Sequence, residues 1–403
     1  MSEEASTEQR PSPSADPTLG LGNAASFEVQ GDFERFNQRD DIFCRSFWDP
    51  EVRSEATDRF YATYREALAN WRAVDGFTQR DYALRNASWH VTDVFAELKE
   101  SEDRREGYLD ELTVLRDAPD EQVEYESPQA AAAEIKRVAQ LFGADLVGIT
   151  DYDERWLYTH KYSREREAPK PNEQPDGLTH VIVVAKAMDH SLIETVPSAL
   201  SGAATGWGYS ADTLTLLALS QYIRNLGYQA IPTLNDTALA VPYAIKAGLG
   251  EYGKLGLVIT PEFGPRVRFG KIFTDLPMEL DLPKTFGVKE FCDSCNLCVD
   301  ACPVGAIAGE SPSEKVYNRS NIVGIKKWSV DAESCFGFWE RQNSDCSICV
   351  RVCPYNRGWP DWIGRGWRRL AGSPLRRVAY WLDRIVGGGR RRAASWWWDQ
   401  TAD

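Results

Sequence analysis

The sequence predicts a mixed α/β domain followed by a small cysteine-rich module. Strand-like apolar runs alternate with helical patterns over roughly residues 130–285, and eight of the nine cysteines fall between residues 292 and 353. A chain of 403 residues is long enough for two or three domains. We therefore divide it into five parts: a tail (1–26), an accessory region (27–130), an α/β domain (131–285), a cysteine module (286–360) and a C-terminal tail (361–403).

The first two parts carry no recognisable chemistry. Residues 1–26 are rich in Ser, Pro, Glu and Ala, a composition that predicts disorder. Residues 27–130 are charged and aromatic, with a helical pattern over residues 55–71. We expect them to form an accessory layer on the core.

The α/β domain is predicted from its apolar spacing. Helical patterns cover residues 130–142, ended by Gly143, and residues 212–226, with Asp212 as a possible N-cap and Gly227 at the C-terminal end. Short apolar runs predict strands at residues 146–149, 181–185, 257–259 and 267–273. The continuous run at 181–185 is typical of a strand buried on both faces. Helices that alternate with buried strands indicate an α/β or α+β fold.

The cysteines follow the spacing of bacterial ferredoxins. The first motif is Cys292-x2-Cys295-x2-Cys298-x3-Cys302-Pro303, and the second is Cys346-x2-Cys349-x3-Cys353-Pro354 with its remaining ligand upstream at Cys335. In this pattern the cysteine before proline reaches the other cluster. We therefore predict two [4Fe–4S] clusters in a ferredoxin-like domain. The first is bound by Cys292, Cys295, Cys298 and Cys353, and the second by Cys302, Cys335, Cys346 and Cys349.

Two alternatives to this assignment stay open. Structural zinc prefers paired Cys-x2-Cys knuckles, which the first motif does not follow. If Cys335 is not a ligand, the second cluster becomes a [3Fe–4S] cluster. Cys44 stands alone and is expected to be a small buried residue rather than a ligand.

Composition excludes several classes of protein. The net charge of −14 and the pI of about 5.0 argue against binding to nucleic acid. No run of 18 apolar residues is present, so we expect no membrane span. The N-terminus shows neither an apolar signal core nor paired arginines, so we expect a cytoplasmic protein. A disulfide framework is not expected in a long chain without an export signal.

One literal motif match is rejected. Residues 248–253 read Gly-x-Gly-x-x-Gly, but a dinucleotide site needs a strand before the motif and a helix after it. Here residues 241–247 look helical and residues 255–259 look like a strand. We interpret the glycines as close packing in a turn, or as an approach of the backbone to a large flat cofactor.

A cysteine module of this size suffices for an electron carrier, so the large domain ahead of it implies a catalytic centre. Its sequence resembles the reductive dehalogenases, the cobalamin-dependent iron–sulfur enzymes that remove halogen from organohalides. The resemblance rests on Gly208-Tyr209-Ser210, residues 223–228, Asn235-Asp236, residues 247–251, residues 259–265 (Ile-Thr-Pro-Glu-Phe-Gly-Pro), residues 274–277 and the two cysteine motifs. The early Arg35-Phe36 and Trp48-Asp49-Pro50 resemble the soluble, cytoplasmic branch of the family.

The resemblance implies a nitroreductase-like core that binds cobalamin. The residues implied to contact it are Gly248, Gly250, Glu262, Phe263, Gly264 and Pro265. The four histidines, His90, His160, His180 and His190, lack the context of a lower cobalt ligand, so we expect base-off cobalamin. A fused reductase is not expected, because the chain ends at Asp403, so the electrons come from a ferredoxin, a flavodoxin or a flavin reductase.

The resemblance also assigns the catalytic residues. Tyr209 matches the tyrosine proton donor, and Lys271 matches a cation that stabilises the phenolate left behind. Asn235 and Arg268 match polar residues that line the pocket, and Arg319 is a further candidate for gripping an anionic substrate group. Without the resemblance, each of these candidate residues would be interpreted as a packing residue or a solvent-exposed residue. Trp207, next to Tyr209, suggests a halogenated aromatic substrate.

Two other functions are weighed against a reductive dehalogenase. Epoxyqueuosine reductases share cobalamin and the double-cluster module, but they show Tyr-Ala-Arg-Gly-x-Asp-Tyr-His with an acidic proton donor where this chain has Gly208-Tyr209-Ser210, and their tRNA substrate favours a basic surface. A non-enzymatic electron carrier would contain no corrinoid. The C-terminal tail, with ten arginines against two aspartates over residues 357–392, is either a docking patch or a helix whose aromatics cover the core.

Overall fold

The computed structural model describes residues 27–65, 73–101, 119–162 and 170–400. The tail predicted to be disordered (1–26) and part of the helix predicted at residues 55–71 lie outside the described residues. The remaining predicted helices and strands can be compared with the structure directly.

The accessory region is largely helical. Its elements are β1 (Glu28–Val29), a 3₁₀-helix (Gln38–Asp40), α1 (Ile42–Trp48), α2 (Glu55–Arg65) and α3 (Gln79–Ser101). Asp41 is the N-cap of α1, and its Oδ1 accepts the Phe43 N–H at 2.9 Å. A carboxylate at this position satisfies one of the unpaired N–H groups of the first turn.

The α/β domain contains the predicted helix at 130–142 and all four predicted strands. Its elements are α4 (Pro128–Leu141), β2 (Leu146–Asp151), a 3₁₀-helix (Glu154–Trp156), β3 (His160–Lys161), β4 (Lys170–Pro171), β5 (His180–Ala187), α5 (His190–Glu194), α6 (Ala199–Asn225), β6 (Ala230–Thr233), α7 (Ala240–Lys246), β7 (Glu251–Tyr252), β8 (Val258–Ile259) and β9 (Val267–Thr274).

The central sheet is a four-stranded antiparallel sheet in the order β2-β5-β9-β6. Ile182 and Val184 of β5 pack in one cluster with α4 and α6. Val181 and Val183 pack in a second cluster that includes α7. Both faces of β5 are therefore buried, which explains why its sequence is continuously apolar although its neighbours are antiparallel.

The prediction for the long helix was wrong at its start. Helix α6 begins at Ala199, where the Ser198 Oγ accepts the Ser201 N–H at 3.0 Å, so Asp212 is an interior residue and not an N-cap. Glycines 202 and 206 occupy the first turns, which therefore lack an apolar stripe. The C-terminal end was predicted correctly, because Gly227 follows the helix with φ +89°.

The cysteine module is built from short elements. They are α8 (Val288–Ser294), α9 (Leu297–Ala301), β10 (Ile325–Lys326), α10 (Ala332–Gln342), α11 (Ile348–Val352) and a 3₁₀-helix (Pro354–Asn356). Strand β10 pairs with β1, and Phe60 of α2 packs edge-to-face on Phe336 of α10 with ring centroids 5.7 Å apart. The accessory region therefore contacts the cysteine module.

The C-terminal tail forms α12 (Asp361–Ala371), α13 (Arg376–Val386) and α14 (Ala394–Trp398). Part of it covers the core: the Trp398 indole N–H donates to Asp81 Oδ1 at 2.9 Å, and Trp367 is buried. Other aromatics do not, since Trp362 and Trp381 are exposed. Among the described helices, none combines the length and the apolar character needed to cross a bilayer.

Candidate active site

Tyr209 lies on α6, where that helix packs closely on α3. A Cβ on Gly206 would lie 2.5 Å from Cδ1 of Trp89, so only glycine allows the two helices to approach this closely. The Ser210 hydroxyl donates to the Ser88 carbonyl at 2.6 Å. The Trp89 indole consequently stacks on the Tyr209 ring, with centroids 5.0 Å apart and planes 28° apart.

The hydroxyl of Tyr209 is held by Asn235. The Asn235 Nδ2 donates to the Tyr209 hydroxyl oxygen. The register of β6 and β9 places Thr233 opposite Lys271, and the fully buried Lys271 donates from Nζ to the Leu234 carbonyl. The sheet therefore fixes the residue that precedes Asn235, the residue that bonds to Tyr209, through Lys271, which lies 62 positions after Tyr209 in the sequence.

Arg268 completes this cluster. Its guanidinium carbon lies 5.2 Å from the centroid of the Tyr209 ring, and a Cβ on Gly208 would lie 2.9 Å from its Cγ. The buried Nε has no hydrogen-bond partner among the described residues. A buried guanidinium N–H without a partner is costly, so this group is suited to receive an anionic or polar ligand atom.

Asp212 lies one turn after Tyr209 on α6 and is fully buried. Neither carboxylate oxygen has a hydrogen-bond partner among the described residues. Burial raises the pKa of Asp212 well above its usual range, although Lys186 and Arg268 lower it in part. Burial therefore favours the neutral, protonated form of this carboxyl group.

Two residues expected in the site lie elsewhere. The Arg319 Nε is 3.0 Å from Asp40 Oδ1, and its guanidinium carbon is 5.3 Å from the centroid of the Trp48 ring, so its contacts are with the accessory region. Trp207 is 52% exposed and does not stack on Tyr209, because it precedes Tyr209 by two positions on the helix. The aromatic residue at Tyr209 is Trp89 instead.

Gly248 and Gly250 of the rejected dinucleotide motif lie between α7 and β7, and Gly253 lies between β7 and β8. The motif therefore follows a helix and precedes a strand, as predicted. A Cβ on Gly248 would lie 2.5 Å from the Leu282 carbonyl oxygen. At Gly250 the corresponding distance to the Ile259 carbonyl oxygen is 2.3 Å. Both glycines therefore leave room for neighbouring backbone, at Leu282 and Ile259, to pack closely.

Residues 262–265 form a turn that contacts the cysteine module. Glu262 is exposed and Phe263 half-buried, whereas Gly264 and Pro265 are buried. Gly264 has φ +58°, and a Cβ there would lie 2.4 Å from the Tyr355 carbonyl oxygen. The predicted cofactor loop therefore lies directly against the residue that follows Cys353-Pro354.

Two of the histidines bond to backbone carbonyl oxygens, and His180 Nδ1 also lies 2.8 Å from Thr179 Oγ1. His180 Nε2 lies 3.0 Å from the Met278 carbonyl oxygen, and His190 Nε2 lies 3.1 Å from that of Asn356. His90 is exposed. The expected absence of a histidine lower ligand stays a prediction.

The structure brings together the four cysteines predicted to bind the first cluster. Cys292, Cys295, Cys298 and Cys353 line one cavity together with Leu255, Phe291, Pro354 and Tyr355. Cys302, Cys335, Cys346 and Cys349 are each half-buried, and their assignment to a second cluster stays a prediction. The described residues contain no group of three or more His, Cys, Asp or Glu side chains arranged around a single metal ion.

Burial raises the pKa of several of these thiols, for example to about 12 at Cys295 and at Cys335. Ligation of iron requires thiolates, so cluster binding has to release these protons. The buried Lys254 helps in the first set, because its charge lowers the pKa of Cys292 and Cys298 against the larger effect of burial. Its Nζ is fixed by Asn296 Oδ1 at 2.8 Å.

Sequence reasoning missed Trp89 and Lys254. Trp89 lies in the accessory region, 120 positions before Tyr209, and no local pattern marks it. Lys254 lies outside both cysteine motifs and comes next to them only through the fold. The glycines at 202 and 206 were the one available signal that a second helix packs closely on α6.

Comparisons with known proteins agree with this geometry. Residues 291–356 match the family model of the 4Fe-4S double cluster binding domain. A tetrachloroethene reductive dehalogenase of Desulfitobacterium hafniense is 37% identical over 278 residues, which cover 59% of this chain and 50% of the relative. An epoxyqueuosine reductase of Listeria monocytogenes is 33% identical over 190 residues, 44% of this chain and 48% of the relative.

Among solved structures, a catabolic reductive dehalogenase in complex with 3-bromo-4-hydroxybenzoic acid matches with a TM-score of 0.70 and 21% identity. The match covers 91% of this chain and 48% of that protein, and it shows the shared fold. The chain spans about half the length of the curated relatives it matches.

Proposed function

We propose that this chain, a relative of the reductive dehalogenases, removes halide from an organohalide by two-electron reduction, with Tyr209 as the proton donor. The observation that supports this most is the buried cluster in which Asn235 donates to the Tyr209 hydroxyl between Trp89 and Arg268. A tyrosine held in this way is poised to deliver a proton to a substrate carbon.

The residues present fit the cofactors that this reaction needs. Arg268 Nε and the buried Thr233 Oγ1 have no hydrogen-bond partner among the described residues, so the cluster offers polar atoms to a further group. Residues 262–265 would help to hold cobalamin, in its base-off form. Cobalamin supplies a cobalt centre that is strongly nucleophilic when reduced. Two [4Fe–4S] clusters, held by the two cysteine sets, would supply the electrons.

The proton balance follows from the contacts of Tyr209. The substrate takes up two electrons and one proton, its carbon–halogen bond breaks, a carbon–hydrogen bond forms and halide leaves. Asn235 donates to the hydroxyl oxygen, so the tyrosine's own proton is not used in that bond. As the phenolate forms, the Asn235 N–H and the Lys271 cation stabilise its charge. Lys271 also holds Leu234 and thereby positions Asn235.

The substrate we propose is a halogenated aromatic with an anionic group. Trp89 and Tyr209 provide an aromatic surface, and Arg268 has an N–H available for a phenolate or carboxylate. The structurally similar dehalogenase was solved with a brominated hydroxybenzoate, which has both features. Arg319 stays a candidate for anion binding only if a rearrangement releases it from Asp40.

The setting of the reaction is part of the proposal. An external ferredoxin, flavodoxin or flavin reductase would deliver the electrons in the cytoplasm. Epoxyqueuosine reduction is the second candidate, because a relative with that activity is 33% identical over 190 residues. That match covers less of the chain than the dehalogenase match, and the net charge of −14 disfavours a tRNA substrate.

The test is halide release from halogenated phenols with reduced viologen, after anaerobic reconstitution with cobalamin and iron. We expect Tyr209→Phe to lose activity by at least about a hundredfold while its corrinoid and iron contents stay unchanged. Tyr317→Phe, which lies in the cysteine module, is the control and should keep full activity. Halide release that persists in Tyr209→Phe would show that Tyr209 is not the proton donor. Corrinoid-loaded protein that releases no halide from any substrate would favour the tRNA-modifying function.

Arg268→Gln tests the substrate class separately. We expect KM to rise for halogenated phenols and benzoates, with little change for a neutral halogenated benzene, because only the anionic substrates use the guanidinium. An equal change for both kinds of substrate would contradict an anion-binding role.

A further inference from the structure

The helices α12 and α13 present an apolar surface to solvent. On α13 and the residue before it, the exposed apolar side chains are Leu375, Val378, Trp381, Leu382, Ile385 and Val386. Their spacing of three, four and seven positions places them along one side of the helix. Trp381 and Ile385 are 60% and 61% exposed, so the stripe faces outward.

The side of α13 that faces the protein carries small and polar residues, unlike the inner side of a typical surface helix. Ala379 and Asp383 are buried against the body of the protein, and Asp383 forms an ion pair with Arg357 at 2.7 Å. A surface helix normally buries its apolar stripe and exposes its polar residues. Here the small and polar residues face inward and the large apolar residues face outward.

This orientation is fixed by the packing of α12. Trp367 is buried, with ring centroids 5.2 Å from Phe291 and 5.1 Å from Tyr355. Its indole N–H donates to the Ala379 carbonyl of α13 at 3.1 Å. The two helices therefore form one hairpin anchored beside the first cysteine set, and α12 adds Trp362, 71% exposed, to the apolar surface.

Arginines surround the apolar stripe. Residues 357–392 hold ten arginines and two aspartates in a chain with a net charge of −14. One of those aspartates, Asp383, is buried and already paired. Exposed arginines such as Arg365, Arg377 and Arg384 lie on the same two helices as the stripe. Large apolar residues next to arginines are typical of helices that lie in the plane of a bilayer surface.

We propose that the hairpin of α12 and α13 is a docking surface for an anionic lipid bilayer. The stripe would enter the boundary between head groups and acyl chains, and the arginines would contact the lipid phosphates. A second copy of the chain is disfavoured as the occupant, because it would bring two arginine-rich surfaces together. A soluble electron donor is disfavoured because transient electron-transfer interfaces are small and do not need such a stripe. The inference does not depend on the proposed reaction.

The test is co-sedimentation of the reconstituted holoprotein with vesicles of phosphatidylcholine and phosphatidylglycerol in a 70:30 ratio. We expect the wild type to bind these vesicles and to bind pure phosphatidylcholine at least about tenfold more weakly, since basic residues near the surface are attracted to anionic lipids. Raising the salt concentration should weaken binding, because the arginine contribution is screened.

The decisive pair of variants is Ile385→Asp and Leu141→Asp. Both replace an exposed aliphatic side chain with a carboxylate, at 61% and 79% exposure, but Leu141 lies on α4. We expect Ile385→Asp to lower vesicle binding at least about tenfold and Leu141→Asp to leave it unchanged, with iron and corrinoid contents unaltered in both. Equal binding of Ile385→Asp and the wild type, or no binding of the wild type, would overturn the proposal. A concentration-dependent dimer that Ile385→Asp dissociates, without vesicle binding, would assign the surface to a second copy.

Discussion

The two cysteine sets and the Tyr209 cluster differ in how the chain builds them. Three of the four predicted ligands of the first set fall within residues 292–298, on α8, α9 and the turn between them. The Tyr209 cluster instead draws Trp89 from α3, Asn235 from the loop after β6, and Arg268 and Lys271 from β9. Local spacing therefore determines one site, whereas strand register and helix packing determine the other.

The largest effect of a substitution is expected at a predicted cluster ligand. Cys298→Ala removes one thiolate of the first set, so we expect the iron content to fall from about eight to about four atoms per chain. Turnover should fall at least about a thousandfold, because electrons no longer reach the active site. Iron analysis and electron paramagnetic resonance measure the loss.

Cys44→Ala is the matched control, because Cys44 lies on α1 outside both sets. It should keep its full iron content and turnover. A Cys298→Ala protein that still contained two complete clusters would show that the local motif does not define the ligand set.

The next largest effect is expected at Lys271, the cation of the Tyr209 cluster. Lys271→Met leaves the Leu234 carbonyl without its buried donor and removes the charge that stabilises the phenolate. We expect turnover per corrinoid-loaded molecule to fall about a hundredfold, comparable to the loss of one donor from an oxyanion-binding site. Single-turnover halide release measures it.

Lys246→Met separates catalysis from stability. Lys246 of α7 is also buried and forms ion pairs with the buried Asp153 at 3.3 Å and with the half-exposed Asp151 at 2.8 Å. Its replacement should lower the free energy of unfolding by a few kcal/mol, roughly as for any broken buried pair, without slowing turnover of the loaded enzyme. Equal losses of turnover in both variants would assign Lys271 a purely structural role.

A smaller effect is expected from the packing that places Trp89 over Tyr209. Gly206→Ala puts a Cβ 2.5 Å from the indole, so α3 has to move and the stacked rings shift. We expect the free energy of unfolding to fall by about 1–3 kcal/mol and turnover to fall on the order of tenfold.

Gly366→Ala is the control for this substitution. It also replaces a helical glycine, but a Cβ there would meet nothing within 4 Å. Removing glycine from an exposed helix should raise the free energy of unfolding by up to about 1 kcal/mol. Thermal unfolding of both variants distinguishes a steric effect from a backbone effect, and similar shifts in both would contradict the close-packing argument.

The contrast between the cysteine sets and the Tyr209 cluster also shows which features the sequence could predict. The helix at residues 130–142 and the strand at residues 181–185 each depend on a pattern within about a dozen residues, and the structure contains both. The cysteine motifs are equally local in spacing, and residues 291–356 match the double cluster family model. The start of α6 was missed because its first turns contain small residues that pack on α3 rather than an apolar stripe. Trp89 was missed for the same reason, since its place at Tyr209 follows from a helix contact with no local periodicity.

The smallest effect on turnover is expected at Asp212, the residue misread as an N-cap. Burial raises its pKa, so the folded state keeps a proton that the unfolded chain loses above the usual carboxyl range. The free energy of unfolding therefore decreases as the pH rises from about 4 towards the folded-state pKa, by up to about 1.4 kcal/mol per pH unit. Asp212→Asn is nearly isosteric and cannot lose a proton, so this decrease should disappear.

The measurement is denaturant unfolding of both proteins between about pH 5.5 and pH 8. The stability advantage of Asp212→Asn over the wild type should grow as the pH rises, while turnover changes little, because neither oxygen of Asp212 bonds to a described residue. Asp176→Asn, at an exposed aspartate, should show no such trend. A wild type that gains stability with rising pH through Asp212 would mean that its carboxylate is ionised and paired with Lys186 or Arg268. Helix α6 would then carry an ionised carboxylate beside the Tyr209 cluster, a charge that no local pattern in the sequence predicts.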